Sequence, residues 1–238
     1  MNETERTAVI LAGGLGSRLH PYTFTIPKPL LPLNGVAIIE IVIRQLKNHG
    51  FSRVVVTLGY MGDFLKYVLG DGSKYELSIE YVTEDAPLGT AGSLFLVDNL
   101  PSFFLVMNGD LLTTANYSQF LEQTKQRNAA AAVMLSERTV NVDYGVIETN
   151  ENSTLIAYHE KPKMTYTVST GIYILSKRAL EHVTGKYLDM PDLIGKLSGE
   201  PGGVYAPIEK CYWQDIGRIE DFEKAGKDFT LEPSLFLE

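Results

Sequence analysis

The sequence holds a single cysteine, Cys211, in 238 residues. No disulfide can form within the chain, which suits a reducing compartment. In Lys210-Cys211-Tyr212-Trp213 the thiol reads as an inert packing residue, because free cysteine is usually buried. Long apolar runs are missing too. None, Phe103 to Met107 included, is long enough to cross a bilayer. Met1-Asn2-Glu3-Thr4-Glu5-Arg6 shows no apolar stretch ahead of a small-residue cleavage site, so no secretory leader is expected and the cytoplasm is the expected location. There is no basic excess: 29 acidic residues stand against 21 basic ones, a net charge of −8. Such a surface repels phosphate backbones and anionic lipid, which argues against nucleic-acid and membrane partners. A small anion remains compatible, since a cationic pocket can sit in an acidic exterior. The four histidines, His20, His49, His159 and His182, lack the close spacing of a metal site. They read as structural or surface residues.

What is present is a regular alternation. Apolar runs predict strands at Thr7–Ala12, Arg53–Leu58, Ser78–Val82 and Phe103–Met107. Helical spacing predicts helices at Ala37–Asn48, Asp63–Leu69 and Gly89–Leu96. The later part predicts a helix at Tyr117–Arg127, a strand at Ala129–Leu135, and a hairpin of Tyr144–Glu148 with Leu155–His159. A strand at Gly171–Leu175 and helices at Lys177–His182 and Ile219–Phe229 follow. Strands alternating with helices imply an α/β fold, a Rossmann-like three-layer α/β/α sandwich with a mixed, mostly parallel sheet. No repeat, low-complexity tract or linker interrupts the chain, so 1–238 is expected to be one domain with a functional division near residue 112.

The glycine loop Leu11-Ala12-Gly13-Gly14-Leu15-Gly16-Ser17-Arg18 follows the first strand. Glycines let backbone N–H groups approach phosphate oxygens, so strand, glycine loop and turn form a general phosphate cradle. The dinucleotide fingerprint does not fit: Leu19 stands where its third glycine belongs, and the second strand ends at Leu58-Gly59-Tyr60 without an acid for a ribose hydroxyl. A P-loop needs Gly-Lys-Ser/Thr, and the chain offers Gly16-Ser17-Arg18. Nearby stands Pro27-Lys28-Pro29. Its prolines restrict the backbone and favour an extended path that aims Lys28 as a point charge. Arg18 can grip phosphate bidentately.

Together, Leu11 to Leu19 and Pro27-Lys28-Pro29-Leu30-Leu31-Pro32 closely resemble the signature of sugar-1-phosphate nucleotidylyltransferases. The resemblance continues through Pro87-Leu88-Gly89-Thr90-Ala91-Gly92, Asn108-Gly109-Asp110 and Tyr144-Gly145-Val146-Ile147. It ends with Glu160-Lys161-Pro162, Thr170-Gly171-Ile172-Tyr173 and Trp213-Gln214-Asp215-Ile216-Gly217, so it covers nearly the whole chain. It implies a nucleotide-binding half, 1–112, and a sugar-phosphate-binding half, 113–238. It implies that Leu11, Ala12, Gly13, Gly14, Gly16, Ser17, Arg18, Lys28, Gly89, Thr90, Asn108 and Gly109 bind the nucleotide. Gly92, Gly145, Glu160, Lys161, Thr170 and Gly171 would line the sugar side. Asp110 and Asp215 would share Mg²⁺, a cation that favours hard oxygen donors. Arg18, Lys28, Asp110 and Lys161 would carry the catalysis.

The implied reaction is in-line attack of a sugar 1-phosphate oxygen on the α-phosphorus of a nucleoside triphosphate. A phosphate monoester with a second pKa of about 6 needs no general base at neutral pH. The block Leu88-Gly89-Thr90-Ala91-Gly92 looks more like guanylyl-transferring relatives than the glutamine-containing branch, which ranks GTP first and leaves UTP, CTP and dTTP open. Many relatives carry asparagine where this chain has Ser169, so the sugar is not read from the resemblance. The expected assembly is a monomer or homodimer, and the catalytic domain is expected to stand alone. Two other readings stay open: an NAD-dependent oxidoreductase, and a non-catalytic sensor of the same fold that binds a nucleotide sugar.

Overall fold

The computed structural model describes residues 5–237. The expectation for Met1 to Arg6 therefore falls largely outside the described residues. The first half runs β1 (Thr7–Ala12), a short hairpin β2 (Pro32–Leu33) and β3 (Val36–Ala37), α1 (Ile38–Asn48), β4 (Arg53–Leu58), α2 (Gly62–Leu69), β5 (Ser78–Thr83), α3 (Gly89–Gly92) and β6 (Phe103–Asn108). The second half runs β7 (Leu111–Thr113), α4 (Tyr117–Arg127), β8 (Ala131–Asn141), β9 (Val146–Thr149), β10 (Leu155–His159), β11 (Lys163–Ser176), α5 (Met190–Leu197), β12 (Val204–Tyr205), β13 (Trp213–Asp215), α6 (Ile219–Leu231) and α7 (Ser234–Leu237).

Among the described residues, seven strands form one sheet in the order β12-β8-β11-β6-β1-β4-β5. The pairs β1–β4, β1–β6, β4–β5 and β8–β12 run parallel, while β11 runs antiparallel to both β6 and β8. The sheet is mixed and mostly parallel, as the alternation implies. Side chains alternate across it. On β1, Ala8, Ile10 and Ala12 join a core shared with Ile39, Val42 and Leu46 of α1 and with Phe120 and Leu121 of α4. Val9 faces the opposite way, into a core shared with Leu193 and Leu197 of α5. Apolar cores on both faces explain why the central strands read as continuous apolar runs.

The helix α1 also serves a third core. Its Ile38 and Ile41 pack with Ala225 and Phe229 of α6 and with Phe236 of the C-terminal segment. That segment docks on the body of the chain. The turn between β2 and β3 carries positive φ at Asn34 (45°) and Gly35 (83°), the geometry of a type I′ hairpin turn.

Several expected boundaries change. Gly89–Leu96 is a short α-helix followed by a 3₁₀ helix over Ser93–Leu96, and Lys177–His182 is 3₁₀ throughout. The strands expected at Ala129–Leu135 and Gly171–Leu175 are the inner parts of β8 and β11. Their outer parts, from Ser136↔Val168 to Asn141↔Lys163, pair only with each other among the described residues, as a ribbon beyond the core. Residues there are mostly exposed, and Met164, Tyr166 and Val168 alternate with polar residues instead of forming a continuous apolar run. The path around Lys28 is also corrected. Pro27 is extended, but Lys28–Leu30 closes a 3₁₀ turn, with Leu30 N–H donating to the Pro27 carbonyl at 2.8 Å. A proline φ near −65° suits such a turn as well as an extended chain.

Candidate active site

Three adjacent parallel strands, β6, β1 and β4, end side by side at Asn108, Ala12 and Leu58. Ligands in open α/β sheets bind beyond such carboxyl ends. Each strand runs directly into glycine, and the glycines pack together. Gly109 N–H donates to the Leu11 carbonyl at 3.0 Å. A Cβ on Gly109 would come within 3.0 Å of Ile10. A Cβ on Gly59 would overlap the Gly13 carbonyl oxygen and lie 2.9 Å from the Gly13 Cα. Gly16 has a left-handed φ of 63° and lies against Thr23 and the Lys28 Cβ. The Thr23 hydroxyl donates to the Gly16 carbonyl at 2.8 Å, tying the loop to the segment that carries Lys28.

Lys28 forms an ion pair with Asp110 Oδ2; their side chains are 11% and 21% exposed. The other oxygen, Asp110 Oδ1, is buried without a hydrogen-bond partner. Asp215 reaches the same place from β13, whose register sets it against Leu111. Ile216 N–H donates to the Asp110 carbonyl at 3.1 Å and locks this approach. Burial raises the Asp215 carboxyl above its ordinary pKa, and the charges of Asp110 and Asp221 add to the rise. Lys28 and Arg18 pull it back. Gly217 lies between Asp215 and Arg18: a Cβ there would sit 3.1 Å from Asp215 Oδ2 and 3.5 Å from an Arg18 guanidinium nitrogen. Two carboxylates, a lysine and an arginine thus converge beside the glycine loop. Their strands and loops are far apart in sequence.

Thr170 and Gly171 are tied to the elements of this centre through Trp213 and Asn108. Gly171, at φ 75°, presses on the Asn108 side chain, with a Cβ distance of 2.7 Å to its amide nitrogen. The Thr170 hydroxyl is buried and donates to the Met134 carbonyl at 2.8 Å, so its side chain holds the sheet. The Thr170 carbonyl accepts from Trp213 Nε1 at 2.9 Å. The Ser169 hydroxyl lies 3.2 Å from that of Tyr173, at the bulge in β11. Gly145 and Glu160 meet on the β9–β10 hairpin, and Lys161 follows with a left-handed φ of 43°.

The segment from Gly89 to Gly92 is clamped to residues 186–190. Ala91 and Gly92 N–H groups both donate to the Leu188 carbonyl, at 2.9 and 3.0 Å. The Thr90 hydroxyl accepts from Met190 N–H at 2.7 Å and faces Asp189 at 3.3 Å. Hydrogen bonds from Tyr187 and Thr90 lower the Asp189 pKa. Asp189, Glu84, Gly59 and Tyr158 are absent from the sequence expectation. Glu84 accepts from Leu88 N–H at 2.9 Å and borders Gly13, linking the clamped segment to the loop. Only Gly59, a glycine directly after an apolar strand, carried a signal that could have been read.

A cleft of about 910 Å³ opens at the other end of the sheet, where Thr7, Arg53, Ser78 and Phe103 begin their strands. Its Arg53 is already engaged by Glu80 and by the Asn99 and Asp98 carbonyls. The convergent charges lie at the carboxyl ends, not there. The histidines are scattered: His159 and His182 pair with Glu148 and Glu200, and His20 stacks on Phe24. No group of three or more His, Cys, Asp or Glu is arranged to hold a metal among the described residues. No described helix is long and apolar enough to cross a membrane.

Residues 7–232 match the family model described as nucleotidyl transferase. The chain belongs to that family. It is 29% identical over 230 residues to a mannose-1-phosphate guanylyltransferase of Mycobacterium tuberculosis, covering 94% of this chain and 64% of the relative. It is 28% identical over 239 residues to a UTP--glucose-1-phosphate uridylyltransferase of Synechocystis, covering 92% and 62%. The chain spans a little under two thirds of the length of these curated relatives. Among solved structures, HddC from Yersinia pseudotuberculosis superposes with a TM-score of 0.70 at 28% identity, covering 94% of this chain and 99% of that one. HddC complexed with GMP-PN gives 0.69 at 26% identity, covering 94% and 99%.

Proposed function

We propose that this chain transfers a nucleotidyl group from a nucleoside triphosphate, GTP by preference, to a sugar 1-phosphate. The observation that carries the reading is the Lys28–Asp110–Asp215 cluster beside the glycine loop, with one Asp110 oxygen buried and unpartnered. In the reaction an oxygen of the sugar phosphate bonds to the α-phosphorus. The bond from that phosphorus to the bridging oxygen breaks in line, and pyrophosphate leaves with the electron pair. The dianionic nucleophile supplies no proton to be removed, so positioning and charge neutralisation carry the rate.

In this reading the backbone from Gly13 to Ser17 cradles the triphosphate, and Arg18 and Lys28 hold the departing phosphates. Lys161 orients the incoming phosphate, while Gly145, Glu160 and the Thr170-Gly171 backbone face the sugar. Gly89, Thr90 and Gly92 border the base and sugar. The orphaned Asp110 oxygen and the Asp215 carboxyl suit a hard divalent cation. Mg²⁺ held by them would supply charge neutralisation for the reacting phosphates. The division near residue 112 separates the nucleotide side from the sugar side. The work is assigned to the cytoplasm, to a monomer or homodimer, without nucleic-acid or membrane partners.

The guanylyltransferase relative and the GMP-PN complex of HddC support placing GTP first. Pyrophosphate release, measured for GTP, UTP, CTP and dTTP against mannose, heptose and glucosamine 1-phosphates, tests the reading. GTP should lead. Silence across every pair would leave a non-catalytic binder of nucleotide sugars as the surviving alternative.

A further inference from the structure

The hairpin β9–β10 lies outside the three cores, and its exposed face carries Tyr158 at 58% exposure. Burial does not account for an aromatic residue there. Side chains along a strand alternate with a period of two. Tyr158 pairs with Ile147, and His159 with Val146. One further step in that register sets Glu160 opposite Gly145, on the face that Tyr158 shares. The contacts agree. The Tyr158 hydroxyl donates to Glu160 Oε2 at 3.0 Å. A Cβ on Gly145 would overlap that hydroxyl, come within 2.7 Å of the Tyr158 Cζ, and lie 3.2 Å from Glu160 Oε2. Gly145 is not among the glycines with positive φ. Room for Tyr158, rather than backbone freedom, is what its missing side chain provides.

We infer that Tyr158 is a positioning residue that presents Glu160 to the sugar ring. Its hydroxyl holds Oε2 in place. Oε1 and a phenolic lone pair are then left as paired acceptors, spaced for two neighbouring hydroxyls of one sugar. The inference rests on the proposed transfer to a sugar 1-phosphate and deepens it: the substrate class is a sugar with two free adjacent hydroxyls on the side facing the hairpin. Gly145 keeps the space that lets the pair form.

The test uses Tyr158→Phe, which removes one oxygen and little else. GTP, UTP, CTP and dTTP are each assayed with mannose, heptose, glucose and glucosamine 1-phosphates, and the pair with the fastest pyrophosphate release is carried forward. In Tyr158→Phe the KM for the sugar phosphate should rise about tenfold, the effect of losing one hydrogen bond to a charged group. The KM for the nucleotide and kcat should stay unchanged, as should the melting temperature. Gly145→Ala should reproduce the sugar KM defect by displacing the tyrosine. In a Glu160→Gln background, Tyr158→Phe should add much less. If Glu160→Ala raises the sugar KM and Tyr158→Phe does not, the positioning role is overturned and the proposed transfer stands. If neither variant changes the sugar KM, the hairpin does not read the sugar and the inference falls. If no pair releases pyrophosphate, the proposed transfer itself falls, and the inference with it.

Discussion

Replacing Asp110 with asparagine removes one charge from a pair that solvent screens poorly. The Lys28 and Asp110 side chains are only 11% and 21% exposed. Deleting one member of a fully buried pair costs about 3–5 kcal/mol. The residual exposure here reduces that to about 2 kcal/mol. Part of the loss is offset, because the Asp110 charge is one reason that Asp215 resists ionisation. For a domain of this size the melting temperature should drop by about 4–8 °C. Turnover should fall much further, by about three powers of ten, as expected when a group that stabilises developing charge is removed. Thermal unfolding and pyrophosphate release at saturating Mg²⁺ read the two effects separately. The double variant Lys28→Met/Asp110→Asn divides them. A neutral pair leaves no unmatched charge at these two positions, so the melting temperature should recover most of the loss. Activity should not recover at all. Near-normal turnover of Asp110→Asn at saturating Mg²⁺ would refute the placement of Asp110 at the centre of the reaction.

Three further outcomes follow from single contacts. Gly59→Ala should raise the KM for the nucleotide while leaving the KM for the sugar phosphate close to wild type, because its methyl would push the Gly13 carbonyl out of the loop; an unchanged nucleotide KM would separate Gly59 from the loop's function. The raised pKa of Asp215 gives a stability effect of definite sign: the folded state holds this proton more tightly than the unfolded state, so stability is lost as pH rises from the ordinary value of 3.8 through the raised folded value. Asp215→Asn should therefore melt higher than wild type at neutral pH, lose that advantage in acid, and show little activity; a lower melting temperature at neutral pH would contradict the sign. Cys211 is partly buried and its thiol pKa is raised by burial, so alkylation by iodoacetamide at neutral pH should be slow in the folded protein and fast in denaturant.

The sheet was legible because its central strands are buried on both faces, and such strands leave an apolar run of the right length. β1 and β4 begin and end where their runs do. The ribbon formed by the outer parts of β8 and β11 left no such trace, since its residues face solvent and its register depends on cross-strand pairing alone. The candidate site divided in the same way. Arg18, Lys28, Asp110 and Asp215 stand in recognisable blocks, and the fold brings them together. Asp189 and Glu84 do not stand out in sequence. Their roles come from bonds to Thr90 and Leu88 that exist only after the chain has folded. The 3₁₀ turn at Lys28 was misread for a related reason. Two prolines restrict φ, and the choice between turn and extension is made by the hydrogen bonds of the neighbours.

The two sides of the site are built with different stiffness, and that bears on how specificity is distributed. On the proposed nucleotide side, Gly13, Gly16, Gly59 and Gly109 sit within contact distance of backbone or neighbouring side-chain atoms, so a small change in any of them moves the loop. Packed interiors transmit such shifts rather than absorb them. The proposed sugar side rests on β9–β10, a two-stranded sheet whose strands, among the described residues, pair only with one another. Its Tyr158–Glu160 pair is exposed and touches none of the three cores. Substitutions there should change which sugar is accepted without unfolding the protein. Substitutions in the glycine loop should lower turnover for every sugar alike. A scan of Ile147, Tyr158 and Glu160 against a scan of Gly13, Gly59 and Gly109, scored for the ratio of kcat/KM between two sugar phosphates and for melting temperature, would show the contrast. Equal shifts in that ratio from both sets would mean that the sugar is read by the loop, and that the hairpin is only a cover.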